Sequence, residues 1–309
     1  MTGAAGFIGS HLLERLLLLG QEVVALDDFS TGSHANLQAV ERAVGEARWR
    51  RCEVRIGDVC DPVALRAACR GVELLLHQAA LGSVPRSLAE PARTVEVNTG
   101  GTWTVLEAAR AAGVARAVLA SSSSVYGDTP CHPQREDELG RPLSPYAASK
   151  RAAEVVAEGL WRGLGFPTVV LRYFNVFGPR QEARGPHAAV IPRWIAALRA
   201  GERPMIHGDG GTSRDFTPVE TVVQANLLAA LSGPASPGRC YNVGTGRETT
   251  LLELLEMLQS STPGAETPRH DAARGAERRA SCADLTRSRS ELGLEPGELE
   301  SGLRYTQSG

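Results

Sequence analysis

Lysine is almost absent from this chain of 309 residues. The one lysine is Lys150, and every other position in the Lys-plus-Arg count is arginine. Lys150 stands four residues after Tyr146, and residues four apart on a helix share a face. A fixed positive charge lowers the pKa of a nearby phenol, so the pair is a candidate device for moving a proton on and off a hydroxyl group. Taken alone, this spacing more often marks a surface contact on an amphipathic helix.

Other absences exclude whole classes of protein. The formal net charge is -2 and no basic block stands out, so nucleic-acid binding is not indicated. No apolar run is long enough to span a bilayer, and we expect no membrane partner. The six cysteines form no C-x-x-C pair and no histidine cluster has metal-ligand spacing, so no metal is expected. We expect reduced thiols in a cytoplasmic protein.

A run of regularly spaced glycines opens the chain. Gly3, Gly6 and Gly9 are three residues apart and precede a helical pattern over residues 11–19. Glycines let the backbone turn tightly and approach a pyrophosphate, which the N-terminus of the helix then attracts. The run predicts a dinucleotide-binding turn, although a glycine run by itself also fits a flexible loop.

An acidic pair follows the next strand pattern. Residues 22–26 are typical of a strand, and Asp27 and Asp28 come directly after it. An acid at this place accepts hydrogen bonds from an adenosine ribose and repels a 2′-phosphate. The pair therefore favours NAD over NADP as the cofactor.

The strand that should precede the glycine run is missing from the printed sequence. Only Met1 and Thr2 stand before Gly3, whereas the fingerprint normally follows a strand, which is central and buried in such sheets. We expect the native start to lie a few residues upstream. The intact mass of the native product tests this, since a mass matching Met1 as the first residue would contradict it.

The alternation of strands and helices continues along the chain. Because this order is typical of a parallel sheet with helices on both faces, we predict a doubly wound α/β (Rossmann) fold with ligands at the C-terminal ends of its strands. His77 falls inside a buried strand pattern and is expected to be a satisfied core histidine. The predicted strands lie at residues 54–58, 74–80, 117–120 and 168–172, and the predicted helices at 61–68, 94–112 and 145–163.

The composition changes after residue 177, where glycine, proline and arginine become frequent. We predict an NAD-binding domain over residues 1–177, to which residues 213–245 return. A smaller substrate-binding region is then formed by residues 178–212 and 246–309. The serine run 121–124 follows a predicted strand, where a hydroxyl group can bond a substrate oxygen and relay a proton to Tyr146.

Taken together and in chain order, these motifs resemble the extended short-chain dehydrogenase/reductases, specifically the nucleotide-sugar 4-epimerases. The likeness covers nearly the whole chain. Besides the glycine run and the Tyr–Lys pair, the matching segments are residues 58–59, 79–80, Asn98, 121–127, 172–180, 208–210 and 213–216.

The resemblance implies a role for each matching residue. Catalysis falls to Ser122, Tyr146 and Lys150, with the register of Ser122 set by Val125-Tyr126-Gly127. The cofactor-binding positions are Gly3, Gly6, Phe7, Ile8, Gly9, Asp27, Asp28, Asp58, Val59, Ala79, Ala80, Asn98, Lys150 and Tyr173. The substrate-binding positions are Gly82, Ser83, Ser122, Ser123, Tyr146, Asn175, Ala189, Val190, Arg214, Arg274, Glu277 and Ser281.

The family chemistry that the resemblance implies is inversion at C4 of a UDP-sugar through a transient 4-keto intermediate. The Tyr146 phenolate removes the 4-hydroxyl proton with Ser122 bridging, and NAD takes and returns the hydride. Residues 81–87 and 188–192 look most like the UDP-N-acetylglucosamine 4-epimerase branch. Ser281 is small where members restricted to UDP-glucose and UDP-galactose carry a bulky residue, so we expect N-acetylated sugars to be accepted alongside non-acetylated ones.

Two departures from the family pattern and several alternatives stand beside this interpretation. Glu277 occupies a place where an Asp is usual, and Ala276 a place where a Gly is usual. A UDP-glucuronate 4-epimerase fits the arginines. A dehydratase or decarboxylase would place Asp or Glu just before the Tyr-Gly pair, where residues 122–125 carry no carboxylate. A non-catalytic NAD-binding sensor would usually have lost the tyrosine or the lysine.

Family members usually dimerise by pairing two long helices from each subunit. The predicted helices 94–112 and 145–163 are the candidates for this pairing. Their outer faces are rich in alanine, which allows close approach, so we expect a homodimer.

Overall fold

Parallel strands form the centre of the protein in its computed structural model, which describes residues 1–183, 185, 188–260, 267–272 and 279–308. The strands, in chain order, are β1 (Val23–Asp27), β2 (Cys52–Ile56), β3 (Leu74–His77), β4 (Arg116–Ser122), β5 (Thr168–Tyr173), β6 (Val176–Phe177), β7 (Met205–His207), β8 (Ser213–Arg214), β9 (Thr217–Pro218), β10 (Cys240–Val243), β11 (Thr249–Thr250) and β12 (Arg269–Asp271).

Helices connect these strands. The α-helices are α1 (Phe7–Leu18), α2 (His34–Val44), α3 (Glu46–Trp49), α4 (Pro62–Ala68), α5 (Val84–Ala89), α6 (Pro91–Val95), α7 (Thr102–Ala111), α8 (Pro145–Leu164), α9 (Val190–Arg199), α10 (Val219–Leu231), α11 (Leu251–Ser260) and α12 (Leu299–Ser308). A 3₁₀ turn spans Ser123–Tyr126, and π-helical turns span Glu96–Gly101 and Ser288–Leu292. No helix in the described ranges is long and apolar enough to cross a membrane.

The main sheet is parallel and has helices on both faces. One part has the strand order β10-β5-β4-β3 and the other is β1-β2. Leu119 of β4 packs in a core with α4, α7 and α8, whereas its neighbour Val118 packs in a second core with α1, α2 and α10. This alternation is the signature of a doubly wound sheet. The predicted α/β Rossmann fold is confirmed.

Met1 and Thr2 lie between the two parts of the main sheet. Thr2 forms single parallel bridges with Leu26 of β1 and with His77 of β3. The Thr2 amide donates to the Leu76 carbonyl (3.0 Å), and the Leu26 amide donates to the Met1 carbonyl (2.9 Å). The place where the sequence predicts a first strand is therefore at the centre of the sheet. The expected start upstream of Met1 stays a prediction.

The prediction of one long helix over residues 94–112 is wrong in one respect. The π-turn Glu96–Gly101 separates α6 from α7. Two glycines end this turn. A Cβ at Gly101 would lie 2.8 Å from the Val59 Cγ2 atom, so the turn approaches the loop after β2 more closely than other residues allow. Such turns often occur at functional sites, and this one carries Asn98.

A separate hydrophobic cluster lies beneath the predicted substrate-binding region. It joins residues of α9, α11 and α12 to Phe177, Ile206 and Phe216. Within the predicted returning segment 213–245, β10 joins the main sheet, whereas β8 pairs antiparallel with β11 outside it. We propose the domain division on this basis, with β8 belonging to the smaller part.

Candidate active site

The glycine run forms a tight turn that leads from Thr2, which lies between β1 and β3, into α1. Gly3 has φ +69°, and a Cβ there would lie 2.6 Å from the Ala79 nitrogen. A Cβ on Gly9 would lie 1.8 Å from the Gly3 carbonyl oxygen, so neither position accepts a side chain. Gly6 precedes α1, and no side chain caps this end of the helix. Uncapped amides at a helix N-terminus suit a pyrophosphate.

Asp27 ties this turn to the end of β1. One carboxylate oxygen accepts from the Ala5 amide (2.8 Å) and the other from the Phe29 amide (2.8 Å). Burial raises the pKa of Asp27, and the backbone hydrogen bonds oppose that rise. A carboxylate has about four acceptor positions, so a ribose hydroxyl can still donate to it. Asp28 is exposed and accepts from the amide and hydroxyl of Ser30.

A pocket at the C-terminal ends of β1, β2 and β3 brings together several residues that the sequence assigns to the cofactor. The predicted residues that line it are Gly3, Asp27, Asp28, Val59, Ala79 and Ala80. Residues that the sequence analysis missed also line it, namely Ser30, Thr31, Gly57, Leu81 and Val97. The position of Ser30 and Thr31 just after the acidic pair could have indicated them. The pocket and the side-chain-free glycine turn fit a dinucleotide.

Asp58 lies beside this pocket, directly after β2. It accepts from the Cys60 amide (2.8 Å) and from the Arg93 guanidinium (3.0 Å). Burial acts to raise the pKa of Asp58, but these donors outweigh it and the pKa falls. Asp58 is therefore ionised at neutral pH, and its neighbour Val59 is buried against Gly101.

Asn98 is buried in the π-turn, and both the oxygen and the nitrogen of its side chain bond to protein partners. Its amide oxygen accepts from the Leu81 N–H (2.8 Å), and its amide nitrogen donates to the Leu81 carbonyl (3.1 Å) and to the Ser149 hydroxyl (3.0 Å). Asn98 thus positions the segment that leads to Gly82 and Ser83. The predicted contact of Asn98 with the cofactor stays a prediction.

Tyr173, at the end of β5, belongs to a ring of buried polar side chains. Its hydroxyl donates to the Gln78 side-chain oxygen (3.0 Å) and accepts from the Asn226 side-chain nitrogen (2.8 Å). Gln78 in turn donates to the Asn226 oxygen (2.9 Å). Burial raises the pKa of Tyr173, so the group is a neutral phenol.

The predicted acid–base residues meet where α8 packs against the end of β4. Helix α8 begins at Pro145, and the Ser144 hydroxyl caps it by accepting from the Ala147 amide (3.1 Å). Lys150 is only 5% exposed, and its ammonium group donates to the Ala120 carbonyl (3.0 Å). Burial lowers the pKa of Lys150 to about 8, and Glu154 opposes this shift.

Tyr146 and Ser122 complete this group. Desolvation raises the pKa of the half-buried Tyr146 phenol, and a hydrogen-bonding interaction with Ser122 lowers it. The Ser122 oxygen also accepts from the Ser124 amide (3.2 Å) at the start of the 3₁₀ turn. The Ser124 hydroxyl oxygen is buried and has no partner among the described residues. Together, these groups can hold and transfer a proton at a substrate hydroxyl.

A buried ion pair connects α8 to β5. Glu154 accepts both arms of the Arg172 fork (2.8 Å each), and it also accepts from the Ser121 hydroxyl (2.6 Å) and from Arg151 (2.9 Å). These donors hold the pKa of Glu154 below its ordinary value although burial acts to raise it. The sequence analysis gave Glu154 no role, although its position four residues after Lys150 could have indicated one.

The predicted core role of His77 is confirmed. Its two ring nitrogens lie 2.6 Å from the Thr2 hydroxyl and 3.1 Å from the Thr102 hydroxyl. Burial, with a smaller contribution from Lys150, lowers the pKa of His77 to about 3. His77 is therefore neutral. No group of three or more His, Cys, Asp or Glu in the described ranges could hold a metal ion.

Two of the predicted substrate-binding residues, Asn175 and Ser281, hydrogen-bond to Asp215, to which the sequence analysis assigned no role. Its buried carboxylate accepts from the backbone amides of Thr245, Gly246 and Ala283 at 2.7–3.1 Å. Its carbonyl accepts from the Asn175 side chain (3.4 Å). This one carboxylate joins segments that are distant in sequence, although its place beside the predicted Arg214 could have drawn attention to it.

The remaining predicted substrate residues are placed as follows. The Ser281 carbonyl accepts from the Asp215 amide (2.8 Å), and the Ser281 side chain is largely buried. Arg214 lies in β8 and donates to the Ser213 carbonyl (2.8 Å). Ala189 caps α9 and Val190 begins it. Arg274 and Glu277, both predicted to bind the substrate, lie outside the described residues.

The fold and the site define a class: a Rossmann protein with a dinucleotide turn and a Ser–Tyr–Lys acid–base group. The family described as "NAD dependent epimerase/dehydratase family" matches residues 1–244. The chain belongs to this family. The predicted membership of the extended short-chain dehydrogenase/reductases, the NAD cofactor and the class of nucleotide-sugar 4-epimerase are confirmed.

Individual relatives agree in length as well as in sequence. The UDP-glucose 4-epimerase of Mycolicibacterium smegmatis is 40% identical over 298 residues, covering 96% of this chain and 92% of the relative. The crystal structure of the Thermotoga maritima UDP-glucose 4-epimerase is 34% identical with TM-score 0.91, covering 99% of this chain and 96% of that one. The UDP-N-acetylglucosamine 4-epimerase of Methanobrevibacter ruminantium is 33% identical with TM-score 0.91 and the same coverage. Decarboxylases and dehydratases are also among the similar proteins.

The pKa of Lys150 can be measured directly, because Lys150 is the sole lysine of the chain. Protein labelled with ¹³Cε-lysine should show one titrating signal, with a midpoint at about 8 instead of the ordinary 10.5. The shift follows from the cost of burying the ammonium group. Lys150→Arg, which keeps a positive charge, should remove the signal and so assign it. A midpoint near 10.5 would show that the ammonium group is solvated.

Proposed function

We propose that this protein interconverts UDP-N-acetylglucosamine and UDP-N-acetylgalactosamine at C4, and UDP-glucose and UDP-galactose as well. The observation that carries the proposal is the meeting of Ser122, Tyr146 and Lys150 at the C-terminal end of β4. At this end of a parallel sheet ligands bind, and the predicted cofactor pocket lies along the same edge.

Each residue of the group has a distinct task in this reaction. The Tyr146 phenolate accepts the proton of the sugar 4-hydroxyl, and the Ser122 hydroxyl bridges the two oxygens. Lys150 supplies the positive charge that stabilises the phenolate. Bound NAD supplies a reversible hydride acceptor. Because the reaction leaves no net change in the cofactor, the protein residues need only to orient the sugar and to move one proton.

The segment between β4 and the Tyr126–Gly127 pair supports epimerisation over elimination. Ser123, Ser124 and Val125 form the 3₁₀ turn beside the acid–base group, and none of them carries a carboxylate. Water elimination at C5 and C6 needs its own acid–base pair. The turn offers hydroxyl groups, which can hold sugar oxygens through the inversion without removing a second proton.

The catalytic proposal is tested by incubating the purified protein with NAD and UDP-N-acetylglucosamine and following the galacto epimer by NMR. We expect the 4-epimer without net NADH. Tyr146→Phe should lower kcat about 10²–10⁴-fold, because the general base is lost. Elimination or decarboxylation products would contradict the proposal. Turnover of UDP-glucuronate alone would replace the proposed substrate with that sugar.

Substrate choice is proposed to depend on the small side chain of Ser281. The Ser281 carbonyl accepts from the Asp215 amide, and the Asp215 carboxylate accepts from the Ala283 amide two residues further on, so the backbone around Ser281 is held in place. Ser281→Tyr should abolish turnover of UDP-N-acetylglucosamine while UDP-glucose is still epimerised, since the phenol fills the space of the acetamide. Ser281→Ala is the matched control and should keep both activities. Retained turnover of the acetylated sugar in Ser281→Tyr would contradict this role.

We also propose that the enzyme is a homodimer that pairs α7 and α8 with their symmetry mates. Trp103 on α7 is 50% exposed and Val155 on α8 is 52% exposed, and large apolar side chains at such positions favour an interface. Light scattering should give about twice the chain mass of 32.8 kDa, and Trp103→Arg should halve it. A monomeric wild-type protein would contradict the dimer.

A cytoplasmic location is part of the same proposal. The six cysteines are all free thiols, as a reducing compartment maintains them. Quantitative labelling of the six thiols in freshly lysed cells would support this location, and disulfides in the native protein would oppose it.

A further inference from the structure

One face of α8 carries three charged or polar side chains at intervals of four residues. Tyr146 interacts with Ser122, Lys150 donates to the carbonyl of Ala120 (3.0 Å), and Glu154 accepts from the hydroxyl of Ser121 (2.6 Å). The last residues of β4 are therefore each held by one turn of the same helix. Tyr146 and Lys150 have catalytic tasks in the proposed function, whereas Glu154 has none.

Glu154 is buried and is held as a carboxylate. Its oxygens take four hydrogen bonds: two from the Arg172 fork, one from Ser121 and one from Arg151. This number matches the acceptor capacity of a carboxylate. Arg172 is fully buried as well, while the Arg151 side chain is 36% exposed. The geometry fixes a full negative charge one helical turn from Lys150.

Other groups around Lys150 do not provide that negative charge. His77, on β3, is buried and neutral. Tyr146, on α8, is a neutral phenol, because burial raises its pKa. Arg172, on β5, is positive and so cannot provide it. Glu154 is thus the carboxylate that acts on the ammonium group, opposing the effect of burial.

We propose that Glu154 is a positioning residue for the acid–base pair. Anchored by Arg172, it holds α8 against the end of β4 and keeps the buried Lys150 protonated. Without it, Lys150 would lose its charge at a lower pH, and the Tyr146 phenolate would lose the cation beside it. This inference rests on the catalytic role proposed above for Lys150, but its first test does not require turnover.

The test uses the single ¹³Cε-lysine signal of the full-length protein. In Glu154→Gln, which keeps the shape of the side chain, the Lys150 midpoint should fall by about one pH unit. Residues four apart on a helix have Cβ atoms about 5–6 Å apart, and an opposite charge within about 4–6 Å shifts a pKa by about one unit or more. Glu154→Asp should restore most of the wild-type midpoint. Arg151→Gln is the matched control and should leave the midpoint nearly unchanged, since its exposed charge is screened by solvent.

Removing the carboxylate alone leaves the Arg172 charge unpaired, so that variant could fail to fold. The double variant Glu154→Gln/Arg172→Met removes both charges and keeps the experiment decisive. Under our proposal its midpoint also falls. If Glu154→Gln or the double variant titrates at the wild-type midpoint, Glu154 has no effect on Lys150 and the proposal is overturned.

Kinetics then separate this inference from the proposed reaction. With an active substrate, the alkaline limb of the kcat/KM profile, which reports the groups of the free enzyme, should move to lower pH in Glu154→Gln by about the same amount as the NMR midpoint. A purely structural role would lower activity at every pH without moving the limb. Absence of turnover in the wild-type protein would count against the reaction, and the NMR shift would still decide the role of Glu154.

Discussion

The buried ion pair between Arg172 and Glu154 connects most of the parts on which the site depends. It joins β5 to α8, and through Ser121 it reaches the end of β4. The remaining guanidinium nitrogen of Arg172, Nη1, donates to the Tyr126 hydroxyl (3.2 Å) and to the Glu136 carbonyl (2.8 Å). A change in this pair would therefore move the serine run, the Tyr–Lys helix and the segment after the 3₁₀ turn together.

The free energy of a buried ion pair depends on whether both partners are present. Replacing a buried ion pair by apolar residues is often neutral for stability, whereas removing one partner costs about 3–5 kcal/mol. A buried ion pair is therefore weak evidence for net stability, and its geometry is the informative feature. Its bidentate geometry fixes the register of α8 on the sheet, and Tyr146 and Lys150 take their positions from that register. Asp215 does the same for the substrate side, where it joins distant loops to the segment that carries Ser281.

The choice of lysine at position 150 follows from the same electrostatics. Arginine stays protonated in proteins and presents a wide, planar fork, which suits the permanent pair of Arg172 with Glu154. Lysine has a compact charge whose pKa shifts readily on burial. A site in which burial and one carboxylate oppose each other can set the charge of a lysine near neutral pH. Such a site cannot do the same with an arginine.

The sequence by itself determined the features that depend on neighbours a few residues away. The glycine turn, the acid after β1, the Tyr–Lys spacing and the alternation of strands and helices are all local, because backbone sterics and the helical repeat decide them. Only the tertiary structure decided that Asn98 holds Leu81, that Tyr173 joins Gln78 and Asn226, and that Asp215 gathers three segments. These partners are up to 148 residues apart, so which polar groups meet is decided by the packing of the whole sheet and not by any local pattern.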